Sequence, residues 1–402
     1  MIRCVEDYTD IAGDEVISEI HKKARKLYDK NLTHINSTFL GGGVAEILSR
    51  LVPLMNELGV DAGWRTLHGN PAFFDITKKF HNALQSGSIN LSNWKKRIYL
   101  EINEEFARYT HLSHDCIIVH DPQPLPLIKF YRKRQPWIWR CHIDLSDPNK
   151  ELWDFLKSFM LKYDMIVVSD EKFRRKDLPV DQRIVHPAID PLSLKNLELS
   201  DKDVMKYIKK VHIPTDKPVI TQVARMDTWK DPEGVLDVYN SVREKVDCRL
   251  LYCYNLAADD PEGVQIHERV QEKAKKWIDK GDILFVVGNN DVLVNAIQRF
   301  STIIIQKSIK EGFGLSVTEA LWKGKPVVAS NVGGISVQIR DGNNGFLVDP
   351  KDAKNCANKI IKLLKNPNLM REMGKRAKES VRKNFLITRL LTNYLDLLSE
   401  IL

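Results

Sequence analysis

The sequence predicts an α/β protein composed of two doubly wound, Rossmann-like domains, each built around a parallel sheet. Strand-like and helix-like segments alternate through the first half of the chain, and the same alternation begins again in the second half. The strand-like segments are short apolar runs rich in β-branched residues, which is typical of parallel strands buried on both faces. A length of 402 residues is sufficient for two such domains.

The first predicted domain spans residues 1–195. Its strands are apolar runs, and its helices carry apolar residues at spacings of three and four. In chain order the segments are THINST, VAEILSRLVPLMNELG, WRTLHG, a helical region to about residue 110, CIIVH, PLPLIKFY, PWIWRC, LWDFLKSFMLKY, MIVVS and RIVHPAI. Ligands of such folds collect beyond the carboxyl ends of the strands, so two facing domains would form an interdomain cleft.

The second predicted domain spans residues 196–382. Its segments are PVITQVA, GVLDVYNSVREK, RLLYCYN, a charged helix near 263–280, ILFVVG, VLVNAIQRF, TIIIQ, TEALWKG, PVVAS, GISVQIR and GFLV. The polar, proline-containing stretch that begins DPLSLKN reads as a linker with one short helix. From Asp352 to Leu402 the chain predicts consecutive helices, and the last one carries an apolar stripe that requires a packing partner.

Composition argues against several classes of protein. The net charge is +8, but basic residues are mixed with acidic ones, which indicates solvated helix faces rather than a nucleic-acid-binding surface. No segment reaches the roughly 18 consecutive apolar residues of a membrane helix, and the N-terminal residues lack a signal-peptide pattern. The six cysteines form no CxxC pair and are expected to be buried free thiols. We therefore expect a cytoplasmic protein without nucleic-acid or membrane partners.

The segment EGFGLSVTE is the most informative motif of the chain. An apolar strand, STIIIQ, precedes it, and a helix, SVTEALWKG, follows it, so the motif forms a glycine turn at a helix N-terminus. Backbone N–H groups at such a turn attract an anion. The carboxylates of Glu311 and Glu319 suit the hydroxyl groups of a sugar instead. Together these features predict a site for a nucleotide sugar.

Two further segments follow predicted strands and supply groups for such a ligand. Gly41, Gly42 and Gly43 allow close approach to a phosphate or an acceptor, or else form only a flexible turn. Glu46 occupies the position where an NAD-binding fingerprint requires glycine. In the second domain, Arg225 and Lys230 are spaced to straddle a diphosphate, although such pairs are also common on protein surfaces.

The segment RCHIDLSDP carries His142, Asp144 and Asp147 and allows three interpretations. It provides a His/Asp catalytic pair, a metal site, or a capping turn in which Ser146 or Asp147 starts the next helix. The metal site is the weakest of these, because no further histidine lies at ligand spacing.

Two other polar clusters have structural interpretations. His120 and Asp121 form either a strand-to-helix turn or part of a site. The Asp201–Asp203 triplet, which mimics a metal-binding DxD sequence, is interpreted as a helix cap.

The motifs together resemble those of the retaining GT-B glycosyltransferases of family 4. The resemblance rests on the three glycines, on Arg225 and Lys230, on the EGFG turn and on NVGGISVQIRDGNNGFLV. The segments NSTFLGGGVAEIL, VHDPQP, QPWIWRCHIDLSDPN, ITQVARMDTWKD and EGFGLSVTEALWKGKPVV are similar to archaeal trehalose-forming members of the family. Trehalose phosphorylases of the same family are the nearest alternative. The sequence departs from the family at Asp231, where glycine is usual.

The resemblance implies a role for each of these residues. Arg225 and Lys230 would neutralise the leaving diphosphate in place of a metal, with help from backbone N–H groups of Phe313, Gly314 and Leu315. Glu311 would hold donor glucose hydroxyls, and Glu319 would accept from the ribose. Gly42 and Gly43 would contact the donor, His142 its 6-hydroxyl, and Asp144 the acceptor glucose.

The resemblance also implies the reaction and its partners. A nucleoside diphosphate glucose (UDP-, ADP- or GDP-glucose) and free glucose would form trehalose with retention of configuration, by a front-face route. No cofactor would be obligatory, Mg²⁺ is a candidate stimulator, and a homodimer is a candidate assembly. The C-terminal helix, residues 383–402, would pack back on the first domain. The alternatives are trehalose phosphorolysis, another acceptor, a nucleotide-sugar sensor and a nucleic-acid binder.

Overall fold

The computed structural model describes residues 3–39, 41–255 and 261–402. The chain divides into two compact units. Unit 1 consists of the chain up to Ala188 together with Leu386–Leu402, and unit 2 is Ile189–Phe385. The first boundary thus precedes the predicted division at 195/196, and the second follows the predicted division at 382/383.

Unit 1 is built on a six-stranded parallel sheet of order β2-β1-β3-β4-β5-β6. The strands are β1 Asn31–Asn36, β2 Asp61–Thr66, β3 Cys116–His120, β4 Trp137–Arg140, β5 Met165–Val168 and β6 Asp181–Ile184. The helices are α1 Thr9–Ala12, α2 Asp14–Ala24, α3 Gly43–Glu57, α4 Pro71–Leu84, α5 Asn93–Tyr109 and α6 Lys150–Met160. The segment PLPLIKFY, which the sequence analysis counted among the repeating elements, forms a 3-10 helix at Leu125–Lys129.

Unit 2 contains a second six-stranded parallel sheet, of order β12-β11-β10-β7-β8-β9. Its strands are β7 Val219–Val223, β8 Arg249–Tyr254, β9 Ile283–Val287, β10 Ile303–Gln306, β11 Val327–Ser330 and β12 Phe346–Val348. Its helices are α7 Asp201–Lys210, α8 Pro232–Arg243, α9 Pro261–Ile278, α10 Asp291–Phe300, α11 Leu315–Trp322, α12 Ile335–Gln338, α13 Ala353–Leu364 and α14 Pro367–Asn384. The prediction of two parallel α/β units is confirmed.

The segment predicted to be a linker is part of unit 2. Helix α7 begins with a Ser200 cap, whose hydroxyl accepts from the Asp203 backbone N–H at 3.1 Å, so the capping interpretation of this acidic triplet is correct. Val204 and Ile208 of this helix are buried in one apolar cluster with Ile297 of α10. The predicted short helix is present as α7, but the segment belongs to the packed unit 2 and is not a separate linker. The polar face of α7 dominates its composition while a narrow apolar stripe packs on the core.

The last helix, α15, spans Ile387–Ile401 and packs within unit 1 against α2 and α3. Its apolar stripe is buried, as are Ile17 and Ile20 of the contacting helix α2. An ion pair between Lys23 Nζ and Asp396 Oδ2, 2.7 Å apart, lies beside this contact. The N-terminal helices were absent from the predicted elements, although they provide the surface that α15 covers.

No helix among the described residues combines the length and apolarity needed to cross a membrane. Five cysteines are buried and Cys4 is partly exposed, and all six are free thiols. Burial therefore raises the pKa of thiols such as Cys116 and Cys356 to about 12.

Candidate functional site

The EGFG turn connects β10 to α11 in unit 2, as predicted. Gly314 has a φ of 83° and precedes the first residue of the helix. A Cβ atom at this position would lie 3.2 Å from Cγ of Glu311, so both backbone conformation and space favour glycine. The first N–H groups of α11 have no acceptor within their own helix, which provides a place for an anion at the turn.

The glycine pair of NVGGISVQIR packs closely against the backbone of the EGFG turn. A Cβ atom at Gly334 would lie 2.6 Å from the carbonyl oxygen of Gly312, so the two segments are in close backbone contact. Gln338 Nε2 donates to the carbonyl of Phe313 at 2.6 Å, and its Oε1 accepts from the Thr318 hydroxyl at 2.7 Å. Gln338 was not predicted to have a role, because a glutamine in a short helix carries no local signal of a distant partner.

Lys230 and Glu311 form an ion pair at the turn. Lys230 Nζ donates to Oε2 of Glu311, which also accepts from the Ser308 hydroxyl at 3.2 Å. The two side chains are 18% and 10% exposed. Lys230 and Glu311 were predicted to bind different parts of a ligand, and in the structure they contact each other directly.

Arg225 is the exposed cation of this cluster. Its side chain is 61% exposed, and its guanidinium lies 2.9 Å from Oδ2 of Asp227. Asp227 is buried, and its other oxygen accepts from the backbone N–H of Lys230 at 3.1 Å. One carboxylate therefore positions both predicted cations. Asp227 was missed, although an aspartate three residues before Lys230 is a recognisable capping signal.

The conformation and contacts of Asp231 explain how this chain accommodates an aspartate where the family usually has glycine. Its backbone is left-handed, with φ 47° and ψ 55°, a conformation that glycine adopts freely and aspartate tolerates. Its carboxylate caps α8 by accepting from the Gly234 N–H at 3.0 Å, and it pairs with the buried Lys307. Lys307 also donates to the carbonyl of Pro350 at 2.9 Å. The aspartate thus preserves the loop conformation and adds an ion pair.

Glu319 lies on α11 and is buried, with 3% of its surface exposed. Its Oε2 accepts from Gln298 Nε2 at 3.1 Å, and Lys195 Nζ lies 3.8 Å from Oε1. These contacts hold the carboxylate in one orientation. Neither Gln298 nor Lys195 was singled out by the sequence analysis.

In unit 1, the three-glycine segment forms the turn between β1 and α3. Gly41 and Gly42 have φ values of 75° and 81°. Among the described residues other than the immediate chain neighbours, no atom lies within 4 Å of a Cβ built on either residue, so the backbone conformation, not crowding, favours glycine here. Gly42 is the N-cap of α3, and Gly43 is its first residue.

Three histidines form a hydrogen-bonded row, which we call the imidazole chain. His34 lies in β1, His120 ends β3, and His142 follows β4, on adjacent strands of the sheet. His34 Nδ1 and His120 Nε2 are 3.0 Å apart, and His120 Nδ1 and His142 Nε2 are 3.1 Å apart. Burial lowers the pKa of all three, that of His34 to about 3. His142 was predicted, His120 was left open, and His34 was missed.

Charged residues surround the imidazole chain. Asp121 has a φ of 62°, its Oδ1 accepts from the His142 backbone N–H at 2.7 Å, and burial raises its pKa to about 6. Arg140 is buried, donates to the Val185 carbonyl at 2.7 Å, and has its pKa lowered by the loss of solvent. The turn around His120 is therefore held by hydrogen bonds of both the His120 ring and the Asp121 carboxylate.

Asp144 is buried, and its Oδ1 accepts from the backbone N–H of Ser146 at 2.9 Å. Of the three interpretations of this segment, the one in which Ser146 or Asp147 starts the next helix was wrong. Helix α6 begins after Asn149, whose side chain accepts from the Leu152 N–H at 3.3 Å. The Asp147 carboxylate accepts from the Ser86 hydroxyl at 3.0 Å and makes no cap for α6.

Within the described ranges, no group of three or more histidine, cysteine, aspartate or glutamate residues is arranged to hold a metal ion. The imidazole chain is a row in which each ring nitrogen faces the next ring, so its nitrogens do not converge on one point.

The chain is 48% identical to the trehalose synthase of Thermococcus litoralis over 400 residues, which cover 98% of this chain and 97% of the relative. It belongs to the trehalose synthase family of glycosyltransferases. The trehalose synthase of Rubrobacter xylanophilus is 41% identical, covering 100% of this chain and 97% of its own. Family models match residues 34–175 as "Trehalose synthase, N-terminal domain" and residues 203–380 as "Glycosyl transferases group 1".

A more distant relative of this chain is the trehalose phosphorylase of Pleurotus pulmonarius. It is 28% identical, and the match covers 95% of this chain and 59% of that protein. The fold is GT-B, as in sucrose-phosphate synthase from Thermosynechococcus elongatus, with a TM-score of 0.74, 18% identity and coverage of 92% of this chain and 99% of that one. The E. coli trehalose-6-phosphate protein bound with UDP-2-fluoro glucose gives a TM-score of 0.76 at 15% identity, with 93% and 100% coverage.

Proposed function

We propose that this protein is a retaining glucosyltransferase that makes trehalose from a nucleoside diphosphate glucose and free glucose. The observation that carries the proposal is the Lys230–Glu311 ion pair at the EGFG turn, with Arg225 beside it. A sugar phosphate combines an anion with hydroxyl groups that donate hydrogen bonds. A cation and a carboxylate in contact therefore match both parts of that ligand.

The diphosphate is assigned to Arg225, Lys230 and the N–H groups of Phe313, Gly314 and Leu315. Arg225 is exposed enough to reach an incoming ligand, and the buried Asp227 holds its guanidinium near the turn. Charge grows on the diphosphate as the glycosidic bond breaks, so donors already in place lower the barrier. These groups supply the charge stabilisation that a metal supplies in other enzymes.

Glucose hydroxyls are assigned to Glu311 and the ribose to Glu319, whose orientation Gln298 sets by a hydrogen bond. Gly42, Gly43 and His142 are assigned to the donor, as the resemblance implies. Asp144 is the weakest assignment, because one of its oxygens already accepts from Ser146.

The front-face route fits the environment of Glu311. Its Oε2 is shared between Lys230 and Ser308, which suits a residue that holds a substrate more than one that attacks an anomeric carbon. A double displacement requires a free carboxylate below that carbon. In the proposed route the departing phosphate removes the proton from the acceptor hydroxyl, and the new bond forms on the face that the phosphate leaves.

The test is incubation with ¹³C-labelled free glucose and, separately, UDP-, ADP- and GDP-glucose, with products identified by NMR. We expect α,α-trehalose carrying one labelled ring and release of the nucleoside diphosphate. Trehalose breakdown that requires phosphate and no nucleotide would identify a phosphorylase instead. Product formed on another acceptor, with glucose left unchanged, would overturn the choice of glucose.

Three finer points are tested on the same active sample. Adding Mg²⁺ or EDTA tests whether the ion stimulates the rate, and light scattering of the active sample tests the homodimer. Running the reaction with excess nucleoside diphosphate and trehalose tests reversibility.

A further inference from the structure

The imidazole chain has a direction. A neutral imidazole has one N–H and one lone pair. Because each of the two contacts joins a donor to an acceptor, all three rings must point the same way. Only two arrangements satisfy both hydrogen bonds, and they present opposite groups at the His142 end: a donor in one and an acceptor in the other.

The inner end of the chain decides between them. His34 is completely buried, and its Nε2 has no hydrogen-bond partner among the described residues. Its neighbour on α15, Tyr394, makes an edge contact with a ring separation of 5.9 Å. Such a contact is a poor substitute for an acceptor. A buried N–H without an acceptor is rarer than a buried lone pair without a donor, so the hydrogen of His34 belongs on Nδ1.

The position of the hydrogen on His34 fixes the position of the hydrogen on each of the other two rings. His34 Nδ1–H donates to His120 Nε2, and His120 Nδ1–H then donates to His142 Nε2. We propose that His34 and His120 are positioning residues that fix His142 as its Nδ1–H tautomer, which presents a hydrogen-bond donor to an oxygen of the bound sugar. Assigning the recipient as a sugar rests on the proposed function, whereas the tautomer itself does not.

The three rings of the imidazole chain remain neutral near neutral pH. The direction of their hydrogen bonds, not their charge, therefore decides which group His142 presents. Burial lowers the pKa of each ring, and the positive charge of Arg140 lowers those of His120 and His142 further. Ionisable groups packed around the row also include Asp121 and Tyr394, and burial raises the pKa of both. A neutral donor suits a hydroxyl oxygen, which carries no charge.

The first test is ¹⁵N NMR of the full-length protein with labelled histidine, which distinguishes the two neutral tautomers by their ring nitrogen shifts. We expect His142 in the Nδ1–H form by roughly tenfold or more, because the alternative leaves a buried N–H unpaired. A predominant Nε2–H form of His142, or an even mixture, would overturn the proposal. This measurement needs neither substrate nor activity, so it stands even if the proposed reaction is wrong.

The second test uses His120→Phe, which removes the middle link while keeping an aromatic ring. We expect His142 to lose its tautomer preference and kcat to fall by about fivefold to tenfold, with the donor KM little changed. His120→Gln, whose amide can accept from His34 and donate to His142, should restore the Nδ1–H form and most of kcat. A rate that falls equally in both variants, with the tautomer of His142 unchanged, would show a packing role only.

The matched control is His114→Gln. His114 precedes β3, at the opposite end of that strand from His120, and is only partly buried. We expect it to leave both the His142 tautomer and kcat as in the wild type. An equal shift of the tautomer in this control would mean that the effect of His120→Phe is general and not transmitted through the row.

Discussion

The candidate site in unit 2 and the imidazole chain in unit 1 differ in the charge of their central groups. In unit 2, cations and carboxylates pair with one another: Lys230 with Glu311, Arg225 with Asp227, and Lys307 with Asp231. In unit 1, the central groups are three neutral rings. A paired charge can exchange its partner for a charged ligand, whereas a directed row of neutral hydrogen bonds distinguishes donors from acceptors.

The largest expected effect concerns the exposed cation of unit 2. Arg225→Ala should lower kcat on the order of a hundredfold or more, since loss of a preorganised charged donor costs about 3 kcal/mol of barrier stabilisation. Glu319→Ala, which removes a buried contact proposed for the ribose, should chiefly raise the donor KM. Steady-state kinetics with varied donor separates these outcomes.

Arg382→Ala serves as the control for Arg225→Ala. Arg382 lies on α14 in unit 2 and pairs with Glu379 on the same helix. Its removal should leave both kinetic constants unchanged. If Arg225→Ala raised only the donor KM, Arg225 would be a docking residue and the charge-stabilising role assigned to it would be wrong.

The second prediction breaks the ion pair at the turn. Lys230→Met leaves the largely buried Glu311 carboxylate without its cation and should destabilise the fold by about 2 to 3 kcal/mol. The double variant Lys230→Met/Glu311→Gln removes both charges and should recover part of that loss. Urea unfolding measures the free energies. If the loss of unfolding free energy in the double variant equalled the sum of the losses in Lys230→Met and Glu311→Gln, the two charges would not interact.

The third prediction concerns Asp231. Asp231→Gly suits the left-handed backbone but removes the α8 cap and leaves Lys307 without a carboxylate, at a net cost of about 1 to 2 kcal/mol. Asp231→Asn keeps the cap and loses the charge, so it should fall between the wild type and the glycine variant. Both should retain most of kcat. An Asp231→Gly protein as stable as the wild type would show that the pair with Lys307 contributes nothing to stability.

The smallest effect is a difference in pH dependence, and it tests the neutrality of unit 1. The pKa of His34 is lowered from 6.5 to about 3, so the unfolded chain binds a proton that the folded protein does not. The stability due to neutral His34 is complete above pH 6.5 and is lost as the pH falls toward 3. Below pH 6.5, the wild type should lose about 1 kcal/mol more per pH unit than His34→Phe. Equal slopes in urea unfolding would contradict a buried neutral His34.

Much of the fold and part of the candidate site follow from local sequence patterns. The apolar runs of β3, β5 and β10 and the helical tail were predicted because burial on both faces and helical spacing leave periodic signals. The EGFG turn was predicted from a different local signal, a glycine between a strand and a helix, and Gly314 there has a left-handed backbone.

Contacts between distant segments were decided only by the tertiary structure. His34 and His120 are 86 positions apart, and Lys230 and Glu311 are 81 apart. Strand order brings β1 beside β3 and β7 beside β10, and no local period specifies which strands become neighbours. The sequence by itself therefore determined which chemical groups stand at the strand ends. The order of strands in each sheet decided which groups touch, because partners are chosen by packing over the whole domain.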